Sequence, residues 1–398
     1  MNSNKMLKSN KEQNDNEKIL ELLETEKKEL VPIVINDLKV ISEMDNTQKL
    51  NFKKQQKFEK FNIQNSLNYI QDIKDNSMNH EDIADCLNED DNEVEIVHCD
   101  TKYFKNLWLC MRNHVSSHAF SQNPGRNIKF IVKINGKYAG FFSIASEIIS
   151  IGSRDKFIGW NEEYRNIKDD YLNYSANAST LVPMQPFGYI CGGKLISLLL
   201  YHKKVRDIWM ETYESPLVSI TTTSLNGKQK SQYNGMKKYW KSLGETTGGF
   251  PEYPSDKVYD RIREWVNQAI KYDPEVKEYH AKKFKSQTNS KAKIIEIFYK
   301  FADIKSHLEA NRLEKDDLTI KEPRGVYFAR LYDNSKEFLQ GKISESDLVE
   351  RDLNFDVTSA NSIFEYWRKK FAYNRFDNKI EEPLFLDRNF QNQLQLAS

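Results

Sequence analysis

Between Leu181 and Gly249 the chain gathers residue types that can hold a phosphate. A short extended run leads into Phe187-Gly188-Tyr189-Ile190-Cys191-Gly192-Gly193, and Lys194 opens an apolar run to Tyr201 with helical spacing. Free backbone N–H groups and the positive end of a helix dipole converge on a turn of this kind, which favours an anionic ligand. Phe187, Gly188, Tyr189, Gly192, Gly193 and Lys194 are therefore the candidates for binding a phosphate-bearing cofactor. The competing reading is plain turn chemistry, since glycine often links a strand to a helix without any ligand.

The approach to that turn is polar. Asn177 and Gln185 carry amides that can read the edge of a base, or that satisfy loop backbone groups and nothing more. Upstream, Arg154 and Asp155 are adjacent, so in a strand they point to opposite faces. In a loop they can hold a substrate phosphate and orient a second group, or simply anchor the loop. Trp160 can stack on a base, a contact worth roughly 1–3 kcal/mol, or fill the core.

The run from Gln232 to Leu243 reads as a Tyr-rich basic helix. On it Tyr233, Lys237 and Lys241 recur at i, i+4 and i+8 and share a face, while Lys238 points away. A phosphate backbone along that face would bind in a salt-dependent way. From Lys194 to Lys300 there are twenty Lys/Arg against twelve Asp/Glu, so DNA is the partner this segment suits, although an ordinary helical surface carries similar excesses. His114 and His118 have metal-ligand spacing but no third ligand, so no metal is expected. No Gly-x-Ser-x-Gly elbow, Walker A loop or EF-hand occurs.

These residues need a framework, and 398 residues are enough for two domains or for one large domain with appendages. Lys+Arg 59 against Asp+Glu 58 leaves a net charge of +1, so any electrostatic recognition must be local. Mean hydropathy of −0.73 implies that part of the chain is solvated. Cys86, Cys99, Cys110 and Cys191 are too scattered for a metal knuckle or a disulfide scaffold, which points to a reducing compartment. With no apolar leader and no membrane-length run, the expectation is a soluble cytoplasmic protein without a membrane partner.

Helical spacing over Glu17–Leu30, where Pro32 should end or break the helix, and over Lys49–Ile73 predicts a helical N-terminal extension, residues 1–74. Residues 75–95 are rich in acid and read as a solvated linker or a short helix face. An α/β core is expected over residues 96–250: a helix from Lys102 to His118, a hairpin from Ile128 to Ala145 turning at Asn135-Gly136, a polar helix from Asn161 to Asp170, and a strand from Leu217 to Thr223. Residues 251–398 read as a helical C-terminal region, with helices at Asp256–Ile270, Ala292–Phe301 and Val326–Phe338, and a tail carrying Pro383, Phe385 and Phe390.

That element order resembles the GNAT acyltransferase fold, a mixed sheet flanked by helices in which a glycine turn cradles coenzyme A. The resemblance implies acetyl-CoA or another acyl or nucleotide donor at Pro186–Lys194. It also implies Tyr233 or Tyr239 as the tyrosine that protonates a leaving thiolate, with Tyr233 the better placed. Asp155 is the companion catalytic candidate. A narrower resemblance runs through Arg154-Asp155, Ile158-Gly159-Trp160, Glu211-Thr212-Tyr213, Pro216-Leu217-Val218, Tyr233-Asn234-Gly235, Trp240 and Leu243-Gly244-Glu245-Thr246-Thr247-Gly248. Over roughly Asp100–Gly249 this is similar to the DruA family of Druantia anti-phage proteins, and related in layout to phage Mom-type DNA modification enzymes. Thr221 and Thr222 stand where an acidic residue is expected in the later strand. Three functions follow: a DNA-directed protein with a transferase-like core, an acyl-CoA-dependent N-acyltransferase, and a non-enzymatic interaction or virion-associated protein.

Overall fold

A computed structural model describes residues 2–60, 66–116, 125–160, 165–224, 231–246, 250–283, 290–314, 316–320 and 323–377. His118, Thr247, Gly248, Gly249 and the tail residues Pro383, Phe385 and Phe390 lie outside the described residues. Helices α1 (Asn2–Ser42), α2 (Asn46–Lys60), α3 (Leu67–Asn76) and α4 (His80–Asn88) lead to β1 (Val94–His98) and α5 (Lys102–Val115). Next come β2 (Asn127–Ile134), β3 (Lys137–Ser146), α6 (Gly152–Ile158), α7 (Arg165–Tyr171) and β4 (Ser175–Pro183). Helices α8 (Gly192–Leu198) and α9 (Lys203–Tyr213) precede β5 (Ser219–Ser224), β6 (Trp240–Glu245) and β7 (Phe250–Pro251). Helices α10 (Asp256–Tyr272), α11 (Pro274–Lys283), α12 (Ser290–Phe301) and α13 (Ile304–Ala310) are followed by β8 (Thr319–Ile320) and β9 (Gly325–Arg330). The described chain closes with α14 (Ser335–Leu339), α15 (Ala360–Trp367), a π-turn and α16 (Tyr373–Asp377).

The protein is thus α/β, and it folds as two compact units that are discontinuous in sequence: residues 1–56 with 249–321, and residues 57–248 with 322–398. The first unit is helical. Leu30, Val34, Leu38 and Ile41 of α1 are buried in one cluster with Ile262, Trp265 and Val266 of α10 and with Phe298 of α12. Pro32 does not end α1, as expected from its missing N–H; the helix runs through it. Burial of the apolar residues on either side holds both halves against α10, which offsets the lost backbone bond.

The second unit carries a seven-stranded sheet in the order β1-β2-β3-β4-β5-β9-β6. Neighbours are antiparallel except β4 and β5, which run parallel. The β2–β3 hairpin turns at Asn135 (φ 49°) and Gly136 (φ 77°), the two left-handed residues a type I′ turn requires. One sheet face packs against α4, α8, α9 and α15 through Phe130, Phe142, Ile144, Ala176, Ala178 and Ile220. The other face carries two separate apolar clusters. The first joins Ile131 and Phe141 to Trp108 and Met111 of α5. The second joins Phe328 to Ile158, Trp160 and Phe338.

Three segments differ from expectation. Residues 75–95 include α4, whose ends are fixed by an Asn79–Asp82 capping box and whose Ile83, Cys86 and Leu87 are buried. The Arg368 guanidinium ties the end of that segment down by donating to Leu87 O (3.1 Å) and Asp90 (2.7 Å). Gln232–Leu243 is no helix: a 3₁₀ turn at Gln232–Gly235 precedes β6. Val326–Phe338 is not one helix either, because Val326–Arg330 lies in β9, between β5 and β6, with α14 beyond it.

Candidate functional site

Strands β4 and β5 pair over only three residues, Ser175–Asn177 against Ser219–Thr221. Immediately beyond, β4 is bulged at Ser179: Ser143 of β3 pairs with Thr180 while the next residue, Ile144, pairs with Ala178. A bulge re-aims side chains and is frequent beside functional sites. Here it coincides with the point at which the β4–β5 ladder ends. Strand alternation then sets Ser143, Asn177, Ser179 and Thr221 on one face, in a polar belt between the two apolar clusters. The Ser143 and Ser179 hydroxyls are 2.9 Å apart.

Glu147, one residue past β3, closes the belt. Its side chain is wholly buried. The Thr221 hydroxyl lies 2.7 Å from Oε1 and 2.5 Å from Oε2, and the Ile148 N–H donates to Oε1 at 2.8 Å. Arg154 Nη1 stands 3.0 Å from Oε1. Burial pushes the Glu147 carboxyl above the usual carboxylate range, a shift that Arg154 and Thr221 oppose without cancelling. Glu147, from the end of β3, thus sets a carboxylate beside Thr221 of β5. Sequence reading missed it: the only signal is a lone acid at the end of an apolar hairpin strand.

Arg154 and Asp155 do pair. In α6 the guanidinium bends back so that Nε and Nη2 donate to Asp155 Oδ1 at 2.9 and 2.6 Å, and Lys168 donates to Asp155 Oδ2 at 2.7 Å. The remaining Arg154 donors reach Ile148 O (2.6 Å) and Ile149 O (3.2 Å). Glu147, Arg154, Asp155 and Lys168 thus form a chain of alternating charge with no net charge. Arg154 is committed to anchoring the loop before α6, and both Asp155 oxygens are engaged. Trp160 is core: it donates to Leu339 O at 2.7 Å and is 5% exposed, so its ring is unavailable to a base.

The glycine turn sits on the other side of the sheet. Phe187 is buried, and Gly188 N–H donates to Met184 O at 2.8 Å. A Cβ on Gly192 would meet the Phe187 ring at 2.5 Å and Phe187 O at 2.6 Å, and one on Gly193 would meet Gln232 Oε1 at 2.2 Å. Cys191 O accepts from Trp367 Nε1 at 3.0 Å, Tyr189 O from Arg375 at 3.3 Å, and the Lys194 ammonium lies 4.4 Å from the Phe371 centroid. Phe187, Gln232 and Trp367 thus pack against the turn. Gln185 is half-buried, with its Oε1 unpartnered among the described residues.

Tyr233 is buried between Trp240 (5.0 Å) and Tyr327 (4.8 Å). Its hydroxyl bonds to the side chains of Gln232 and Thr222, and burial pushes its pKa up to about 12. Lys237 is exposed outside any helix, and Lys241 lies on β6 with its ammonium 4.7 Å from the Phe157 centroid. Tyr233, Lys237 and Lys241 therefore do not form one face, because the strand that replaces the helix changes the side-chain period from 3.6 to 2. Among the described residues no group of acids, histidines or cysteines is arranged for a metal ion, and no helix is long and apolar enough to cross a membrane.

Comparison with known proteins adds two findings. A family model described as "Druantia protein DruA" matches residues 37–341. A relative from Escherichia coli (strain UMEA 4076-1), also described as "Druantia protein DruA", is 29% identical over 164 residues, which is 37% of this chain and 40% of the relative. No solved structure matches.

Proposed function

Because the chain belongs to the DruA family, we propose that it acts in anti-phage defence as a DNA-directed protein whose sheet keeps a transferase-type opening. Family membership supports the defence role. The chemistry rests on one observation: a β4–β5 pair that is only briefly parallel, next to a bulge in the β3–β4 ladder, with the Glu147 carboxylate held on its polar side. In this reading Glu147, raised in pKa by burial, is the general base that takes a proton from a substrate nitrogen. Asn177 and Ser179 offer hydrogen bonds to a base beside it. Admission of substrate requires the strands to part beyond Asn177 and Thr221, where the ladder between them ends.

The test is Glu147→Gln in cells challenged with phage, with the purified variant checked by thermal melting. The expected result is loss of protection by a variant that still folds. Full protection at parental expression would remove Glu147 from the mechanism. A second reading, a non-enzymatic interaction or virion-associated protein, is favoured by the packed glycine turn. Calorimetric titration with duplex DNA and with acetyl-CoA separates the two. The proposal expects DNA to bind, and expects acetyl-CoA to bind only if the flexible Gln232 side chain swings off Gly193. Binding of neither would leave the second reading in place.

A further inference from the structure

The Glu147–Arg154–Asp155–Lys168 chain has a second consequence at the surface. Ile148 is 43% and Ile149 57% exposed, yet both are held rigidly. Ile148 N–H donates to Glu147, and the carbonyls of both residues accept from the buried Arg154 guanidinium. Single exposed apolar side chains need no explanation, but here two adjacent ones have their backbone tied down beside a polar belt. The helix that follows supplies charge. Lys156 of α6 is exposed, and the half-buried ring of Phe157 has the Lys241 ammonium at 4.7 Å and the Lys336 ammonium at 5.0 Å. Among the described residues none of these three lysines is in a salt bridge with a carboxylate. Arg154, which anchors the prongs, and Phe157, which the two ammonium groups flank, are three residues apart on α6, within one helical turn, so the prongs and the cations are held by the same short helix.

We propose that this patch is where the protein grips DNA: Lys156, Lys241 and Lys336 take backbone phosphates, and Ile148–Ile149 press against base faces. The inference rests on the DNA-directed reading and gives that reading its contact surface. Charge complementarity selects the occupant. An apolar protein partner would desolvate three ammonium groups without return, and an acidic peptide would have no use for the isoleucines. DNA presents a polyanionic backbone and apolar base faces within one helical turn, and inserted isoleucines are a recurrent device for unstacking a base step.

The test uses the full chain and a short DNA duplex, with affinity measured from about 50 to 200 mM salt. Lys241→Ala with Lys336→Ala should weaken binding and lower the log–log salt slope by about two contacts. Ile148→Ser with Ile149→Ser should weaken binding about tenfold with the slope unchanged, because it removes no charge. Lys238→Ala, whose ammonium bonds Asn354 away from this patch, is the control and should bind as the parent does. If the parent binds DNA and both double variants match it, the patch is wrong while the DNA reading stands. If the parent binds no DNA at either salt, the DNA reading falls and takes the patch with it. Loss of phage protection in the isoleucine variant with DNA affinity intact would assign the prongs to a protein partner and overturn the proposal. Should the isoleucine variant fail to fold, the lysine pair decides alone.

Discussion

Burial gives Glu147 a pH signature. Its folded-state pKa is raised, chiefly by desolvation, so between its ordinary value and the raised one the native state holds a proton that the unfolded state has lost. Its contribution to stability is therefore greatest at acid pH and declines as pH rises through that window. Glu147→Gln removes the titration. The difference in urea midpoint between parent and variant, followed from acid to neutral pH, should move in the variant's favour as pH rises; a difference independent of pH would show that folding leaves the Glu147 carboxyl unshifted, and one moving in the parent's favour would show that it is ionised throughout in the native state. Glu147→Ala is a harsher change, because it strips the buried Arg154 Nη1 and the Thr221 hydroxyl of an acceptor. It should cost about 3–5 kcal/mol, as removal of one member of a buried ion pair does. This residue could not be read from the sequence because its partner Thr221 is 74 positions away. Only the register Ala145–Asn177–Thr221 across three strands brings them together. Arg154 and Asp155 were visible as a pair of interest. The rule that neighbours on a strand diverge misled, since a long guanidinium on a short helix can fold back onto the next residue.

At the scale of elements, what could be read followed how local the determinant was. Asn135-Gly136 between two apolar runs fixes the β2–β3 hairpin within four residues, and the sheet follows the expected mixed α/β plan. Gln232–Leu243 carries apolar and basic residues at spacings that suit a helix, yet Trp240–Glu245 pairs with β9, whose residues come eighty or more positions later in the sequence. Tertiary pairing overrode local period there. Nor could the glycine turn be decided locally, because whether two glycines cradle an anion or admit neighbouring side chains depends on what packs against them. Gly192→Ala tests that packing. The new methyl would sit 2.6 Å from the Phe187 carbonyl oxygen, so backbone must shift. The expected cost is about 1–3 kcal/mol by overpacking, read from the denaturant midpoint. An unchanged midpoint would mean that the turn has free space, which would reopen it as a ligand cradle.

At the scale of the whole molecule, linear cuts in the sequence cannot reveal a unit assembled from two distant segments. Residues 1–56 and 249–321 share one apolar cluster, and α1 gives it Leu23, Leu30, Val34, Ile35, Leu38 and Ile41. Burial of six such side chains is worth about 10 kcal/mol, comparable with the entire stability of a domain, about 5–15 kcal/mol. Deleting residues 1–56 alone should therefore strand the apolar face of α10, with Ile262, Trp265 and Val266 unburied, and give a protein that binds ANS and aggregates. The second unit has no such dependence within itself. Its β6 and β9 are antiparallel neighbours at the point where the helical segment departs and returns: Glu245 pairs with Gly325, Thr246 N–H donates to Arg324 O at 2.9 Å, and Arg324 N–H donates to the Thr246 hydroxyl at 3.0 Å. Joining those ends by a short Asn-Gly turn makes them an ordinary hairpin. A chain that begins at residue 57 and carries this turn in place of residues 247–323 should unfold in one cooperative transition, with its far-UV signal intact and little ANS binding. A non-cooperative melt of that chain, or a soluble and cooperative product from deletion of residues 1–56 alone, would show that the units are not built as the two clusters imply.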